Sequence, residues 1–253
     1  MNSDESWLLK EKYLGEKTEG FFADCKRLKN GEPLAYIIGH IPFLSNTIHL
    51  DSHPLIPRTE TEYWVEKVLS EIRSHRRGQT PTMRVLDLCA GSGCIGVAVL
   101  TALQNTHVDF GEMDVRHHPT IVKNLDVNGI DTERATTLAG DLFEKVTGEY
   151  DYILSNPPYI DKSLNRAQPS VTNHEPHNAL FADDAGFSLI ERIIAESPAY
   201  LKVDGVLVIE HEPEHVSRIN DCAHEYGFIC ETRCDQYNVW RYTVLTRTKP
   251  ENM

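Results

Sequence analysis

The sequence predicts an α/β protein built on a doubly wound, open sheet. Three observations carry this reading. From residue 84 onward, short apolar runs alternate with stretches whose apolar residues recur every three or four positions, the pattern of strands and helices taking turns. The first run, Val85-Leu-Asp-Leu88, passes into a glycine turn, Gly91-Ser-Gly93, that opens a helix. The last two runs, 228–232 and 240–246, are separated by a short polar loop, which makes them antiparallel neighbours at the end of a mainly parallel sheet.

Taken in order, residues 1–30 read as helical, with apolar positions Trp7, Leu8, Leu9, Phe21, Phe22 and Leu28 among charges. The β-prone runs 34–38 and 47–50, joined through Gly39, Pro42 and Ser45-Asn46, predict a β-hairpin. Pro54 and Pro57 interrupt the chain. Thr59 then caps a helix over 61–71, and 74–81 forms a polar linker. Strands are expected at 84–88, 107–113, 136–139, 150–155 and 206–210. Helices are expected along Ile95, Val99 and Leu103, from Pro119 to the Asn128-Gly129 stop, and over 186–200 and 213–226. The organisation is therefore a helical segment 1–30, a hairpin and linker helix 31–80, and an α/β domain 81–253.

Composition narrows the class. The chain has 40% hydrophobic and 25% charged residues, as a packed globular protein requires. No apolar run suits a membrane span, and the acidic start Met1-Asn-Ser-Asp-Glu5 is not a secretory signal. Lys and Arg number 25 against 38 Asp and Glu, a net charge of −13, which repels phosphate backbones and argues against direct nucleic-acid partners. The six cysteines, 25, 89, 94, 222, 230 and 234, include no paired C-x-x-C, so they read as thiols rather than a metal site. A monomer in the cytoplasm is expected.

Chemistry concentrates at the ends of the predicted strands. Glycines in the first turn let a backbone approach a ligand, and the following helix start offers unpaired N–H groups. Glu112, after the second strand, stands where an acid binds ribose hydroxyls in a doubly wound sheet; Asp114 is the competing candidate. Asp141, in Gly140-Asp-Leu142 after the third strand, is placed to meet an adenine amino group. The fourth strand ends in Asn156-Pro157-Pro158-Tyr159. Two prolines fix φ and remove donors, so the turn is rigid. It presents the Asn156 side-chain oxygen and the Pro157 carbonyl as two fixed acceptors. Two acceptors suit the two in-plane hydrogens of an amide or aromatic amine and aim its nitrogen at a methyl donor, with Tyr159 against the flat face. Acceptors drawing on those N–H bonds raise electron density on a poorly nucleophilic nitrogen.

With these residues assembled, the chain resembles the release-factor glutamine N5-methyltransferase family over about residues 31–245. The Asn156–Tyr159 motif is shared with DNA adenine N6-methyltransferases, so it indicates the reaction type rather than the substrate. More specific are Gly31-Glu-Pro-Leu-Ala-Tyr-Ile-Ile-Gly39, Leu55-Ile-Pro-Arg-Thr-Glu-Thr-Glu62, His174-Glu-Pro176 and Ile209-Glu-His211. The resemblance implies a seven-stranded Rossmann-like class I domain using S-adenosylmethionine, with a small helical N-terminal domain, here shortened. It implies cofactor contacts at Asp87, Cys89, Ala90, Gly91, Ser92, Gly93, Glu112, Asp141, Leu142 and Asn156. Substrate contacts are implied at Asn156, Pro157, Pro158 and Tyr159, to the glutamine of a Gly-Gly-Gln motif in a peptide-chain release factor. Cys89 stands where the family usually has glycine, and Glu212 where it often does. The alternatives are a DNA adenine N6-methyltransferase, a glutamine methyltransferase acting on a ribosomal protein, and a binding module that has kept the fold. The first would need a basic stripe, which the charge balance does not offer.

Overall fold

The structure is a computed structural model that describes residues 1–75, 82–164 and 169–248. The polar linker expected at 74–81 thus lies, from residue 76 on, outside the described residues.

The chain opens with helices α1 (Ser3–Glu11) and α2 (Glu19–Lys29). Asn2 and Glu5 close α1 with a reciprocal capping box, and the Thr18 hydroxyl accepts from the Phe21 N–H to cap α2. Leu34–Ile38, expected as a strand, is instead a short helix, α3. Pro33 supplies its N-cap with φ −57°, and Gly39, at φ 94°, closes it in the left-handed region. Five residues between such a start and stop complete one helical turn whatever their β propensity. Ile37 joins Leu8, Phe21 and Cys25 in a small core shared by the three helices. The hairpin follows one turn later, as β1 (His40–Phe43) and β2 (Asn46–His49), paired antiparallel. Helix α4 spans Thr59–His75, longer at both ends than expected.

The α/β part runs β3 (Met83–Leu88), α5 (Cys94–Ala102), β4 (Thr106–Gly111), α6 (His118–Val127), β5 (Ala135–Leu138) and β6 (Tyr150–Ser155). A short pair, β7 (Ile160–Asp161) and β8 (Phe181–Ala182), brackets α7 (Pro169–His174) and α8 (His177–Leu180). Then come α9 (Ser188–Glu196), β9 (Leu201–Glu210), α10 (Val216–Glu225), β10 (Phe228–Cys234) and β11 (Trp240–Arg247). Seven strands form one sheet in the order β10-β11-β9-β6-β3-β4-β5. β3, β4, β5, β6 and β9 are parallel, and β11 is antiparallel to both its neighbours. Strand order reverses between β3 and β6, so a crevice opens outside the carboxyl ends of the central strands, where ligands of open α/β sheets sit.

Both faces are covered, which is why the central strands read as nearly continuous apolar runs. One face packs on α9 and α10 through Ile190, Ile193, Ile194, Ile219 and Phe228. The other packs on α4 and α5 and on the hairpin, with Trp64, Val65, Val68, Phe43, Ile48 and Phe110 in one cluster. The hairpin and α4 therefore share the core of the sheet. Among the described residues no helix is long and apolar enough to cross a membrane.

Candidate active site

The residues singled out at strand ends converge at the switch point, in two adjoining clefts. The first is lined by Cys89, Gly91, Glu112, Met113, Asp141, Leu142, Asn156 and Pro158, with Leu55, His117, Asn178, Ala179 and Leu189. The second is lined by Asn156, Pro157, Tyr159 and Ile160, with Leu55, Arg58, Val171, Ala179 and Leu180. Asn156, Leu55 and Ala179 line both, so the Asn156 amide stands where the two meet. A larger concavity, about 1090 Å³, lies elsewhere, along α4 near Glu62, Glu66 and Arg73. It touches none of the strand-end acids.

The glycine loop is held from both sides. Glu112 accepts the Gly91 N–H on Oε2 and the Asp114 N–H on Oε1, both at 2.8 Å. Its carboxylate is thus fixed while still lining the cleft, and each oxygen keeps a further lone pair. Asp114 is used differently: its carboxylate chelates Arg116, with Oδ2 to Nη2 at 2.5 Å, and caps the turn at Val115. That ion pair, with the backbone bond to Arg116, lowers the Asp114 pKa to about 2. Asp114 does not line the cleft. Asp141 lines it, with Oδ2 held by Arg192 at 3.0 Å.

Other loop residues stand behind the surface. Asp87 is buried and accepts the Gly96 N–H at 2.8 Å on Oδ2, while Oδ1 has no partner. Burial, reinforced by the nearby Glu112 charge, pushes its pKa up to about 8. Ala90 and Ser92 are buried, and the Ser92 carbonyl accepts from Asn124 Nδ2 at 2.9 Å. Gly93 is the left-handed N-cap of α5, at φ 77°. Of the loop, Cys89 and Gly91 face the cleft.

The Asn156 turn is braced by residues the sequence did not single out for this purpose. Asn156 Nδ2 donates to Thr61 Oγ1 at 3.1 Å, and Thr61 Oγ1 donates to Glu210 Oε2 at 2.7 Å. Trp64 Nε1 donates to the same oxygen at 2.7 Å, and the Tyr159 hydroxyl donates to Glu210 Oε1 at 2.8 Å. Tyr159 is held neutral: burial and the Glu210 charge raise its pKa well above that of a free phenol. Gly186, at φ 84°, runs against the Tyr159 carbonyl, where a Cβ would overlap that oxygen. The linker before α4 is tied down as well. Glu175 takes Arg58 Nη2 at 2.6 Å on Oε1 and the Ile56 N–H at 3.0 Å on Oε2. Leu55 and Arg58 are thereby held over the second cleft. Glu175, Arg58, Thr61 and Glu210 all fall in segments that carried the resemblance. Their partners lie 51 to 149 residues away in sequence, so their pairing was not readable there.

Comparison with known proteins places the chain in a family. Residues 68–174 match the methyltransferase small domain family. The solved methyltransferase from Pyrococcus furiosus shares the fold, with a TM-score of 0.59 at 12% identity over 90% of this chain and 99% of that one. A release factor glutamine methyltransferase from Lactococcus lactis is 30% identical over 209 residues, 81% of this chain and 74% of its own length. The chain belongs to the release factor glutamine methyltransferase family. The Haemophilus influenzae member is 35% identical over 74% of this chain, which spans 65% of that protein. A ribosomal protein uL3 glutamine methyltransferase from Bordetella pertussis is 32% identical over 75% of this chain and 63% of its own length. A class I methyltransferase fold and family imply use of S-adenosylmethionine.

Proposed function

We propose that this protein transfers the methyl group of S-adenosylmethionine to the side-chain amide nitrogen of the glutamine in the Gly-Gly-Gln motif of a peptide-chain release factor, serving translation termination in the cytoplasm. The observation that carries this reading is the Asn156 amide at the junction of the two clefts, its nitrogen engaged by Thr61 and its oxygen left as an acceptor.

The first cleft fits the cofactor. Glu112, already fixed by two N–H groups, would hold the ribose hydroxyls, Asp141 the adenine amino group, and the turn of Cys89 to Gly93, with Asp87, Ala90 and Ser92 behind it, and Leu142 the rest of the cofactor. The bound cofactor supplies an electrophilic methyl on a sulfonium. Asn156 Oδ1 and the Pro157 carbonyl then accept the two hydrogens of the glutamine amide, fixing its plane and its nitrogen. Pro158 keeps the turn rigid, and the Tyr159 ring forms the wall of the second cleft. Alignment of two reactants supplies several powers of ten in rate, and the turn supplies that alignment without a charged catalyst.

Two features support a protein substrate. The net charge of −13 makes a duplex complex costly, since binding DNA requires several phosphates to be neutralised. The relatives of highest identity named above act, by their names, on release factors or on ribosomal protein uL3. The test is labelled methyl transfer to four acceptors: a release factor, its Gly-Gly-Ala variant, protein uL3 and an adenine-containing duplex, with the site located by mass spectrometry. Label on the Gly-Gly-Gln glutamine is expected. Label on uL3 alone selects the second substrate, and label on the duplex overturns the reading.

A further inference from the structure

We infer that Thr61 and Glu210 are positioning residues that set which edge of the Asn156 amide faces the substrate; this rests on the function proposed above. An asparagine amide has a donor edge and an acceptor edge of nearly the same shape, and only the acceptor edge can receive a glutamine N–H. Something must therefore prevent a half-turn about the last side-chain bond. The hydrogen-bond order supplies it.

Glu210 is buried at the end of β9, and although burial raises its pKa, three donors, Thr61, Trp64 and Tyr159, meet its two oxygens and use it as an acceptor. The Trp64 indole can only donate, and it donates to Oε2. The Thr61 hydroxyl has one proton, and that proton goes to the same oxygen at 2.7 Å. Thr61 Oγ1 is left with lone pairs alone toward Asn156, so the Asn156 group that meets it at 3.1 Å is the NH₂. A flipped amide would set two lone-pair oxygens against each other in a part-buried place, a penalty comparable with a lost hydrogen bond. The sense of the chain Glu210, Thr61, Asn156 thus aims Oδ1 into the clefts. The other carboxylate oxygen receives the Tyr159 hydroxyl, so a single buried acid anchors both ends of the Asn156–Tyr159 turn. Thr61 and Trp64 lie on α4, ahead of the sheet in sequence, and reach the turn because α4 is buried against the sheet face through Trp64, Val65 and Val68.

The test compares Thr61→Val, which keeps the shape and removes the hydroxyl, with Thr61→Ser, which keeps it. The full chain is assayed with a release factor and S-adenosylmethionine. Thr61→Val is expected to lower kcat roughly 10–100-fold, since small misplacements of an aligned group cost on that order, while the cofactor Kd stays within about threefold. Thr61→Ser is expected to restore most of the turnover. The deciding measurement is the pair of substitutions in one chain. In an Asn156→Ala background, Thr61→Val should cost nothing further, because the group it aims is gone. An equal loss in both backgrounds would show a purely structural role and overturn the inference. So would full turnover in Thr61→Val when Asn156→Ala alone is crippled. Full turnover in Asn156→Ala would instead overturn the proposed chemistry of the site. Should Thr61→Val fail to fold, Thr61→Ala serves: it removes the hydroxyl without setting a methyl in its place, and the same split between kcat and cofactor Kd is expected.

Discussion

Replacing Glu112 tests the cofactor cleft most directly, because its carboxylate does two things at once. It holds the glycine loop through the Gly91 and Asp114 N–H groups, each at 2.8 Å, and it lines the cleft. Glu112→Ala removes both the ribose acceptors and the two loop bonds. A hydrogen bond to a charged group contributes about 1.5–3 kcal/mol. Water replaces part of that in an open, half-buried cleft, so the loss of about one such bond is the cautious expectation. That corresponds to at least a tenfold weaker Kd, 1.4 kcal/mol being a factor of ten. Glu112→Gln should fall between alanine and wild type, since its amide keeps one acceptor oxygen but turns a donor toward one backbone N–H. Asp114→Ala is the internal control. Its carboxylate is spent on Arg116 and lies outside the cleft, so affinity should stay within about threefold of wild type. Isothermal titration with S-adenosylhomocysteine measures all three without turnover. Equal affinities for wild type and Glu112→Ala, or a larger loss in Asp114→Ala, would refute the assignment of the ribose to Glu112.

Three further outcomes are expected. Asn156→Ala should lose on the order of 10²–10³ in kcat, as for removal of one oxyanion-hole donor, with the cofactor Kd unchanged; a matching loss of cofactor affinity would move Asn156 into the cofactor cleft alone. Asp87 has its pKa raised to about 8 in the folded chain, from 3.8. The folded form therefore holds a proton that the unfolded chain has lost, and stability falls as pH rises from about 4 to 8. A cationic cofactor above the loop favours the ionised form, so binding near pH 7 should release a proton and tighten with pH. Calorimetry in buffers of different ionisation enthalpy reads this, and an equal release from Asp87→Asn would discard it. Gly186→Ala sets a side chain at φ 84° against the Tyr159 carbonyl and should destabilise by about 1–3 kcal/mol, seen as a lower midpoint in urea; an unshifted midpoint would mean the 186 backbone does not press on the turn.

What the sequence disclosed, and what it hid, follows from how far each signal reaches along the chain. The strand-end residues were legible because an open parallel sheet brings the carboxyl ends of its strands together by topology alone. Glu112, Asp141 and Asn156, separated by up to 44 positions, therefore fell into one crevice without any knowledge of packing. The antiparallel end of the sheet was legible from a short loop, which is too short for the crossover that parallel strands need. Residues 34–38 misled because their side chains favour strands, while Pro33 and Gly39, which decide the matter, act through the backbone at either end. Pairings across the molecule were not legible at all. Glu210 meets Thr61 and Trp64 at sequence separations of 149 and 146, and Glu175 meets Arg58 at 117. Those contacts exist because α4 lies on the sheet, and that placement depends on the shared core rather than on local pattern. The ion pair of Asp114 with Arg116, outside the cleft that Glu112 lines, is a contact that two acids two residues apart do not reveal.

The burial of α4 against the sheet also constrains how such a protein could be recombined. A junction near residue 80, between linker and α/β part, is where an engineer would cut to exchange the front of one methyltransferase for that of another. Such a cut would carry Thr61 and Trp64 away with the foreign half and leave Glu210 beneath the turn without two of its donors. It would also ask a new helix to fit the slot that Trp64 fills, at 0% exposure. A seam near Gly39, ahead of the hairpin whose Phe43 and Ile48 share the core of the sheet, leaves both that core and the braces of the turn with the catalytic half. Chimeras joined there should keep methyl transfer, whereas those joined at 80 should be soluble only if both parents supply matching helices.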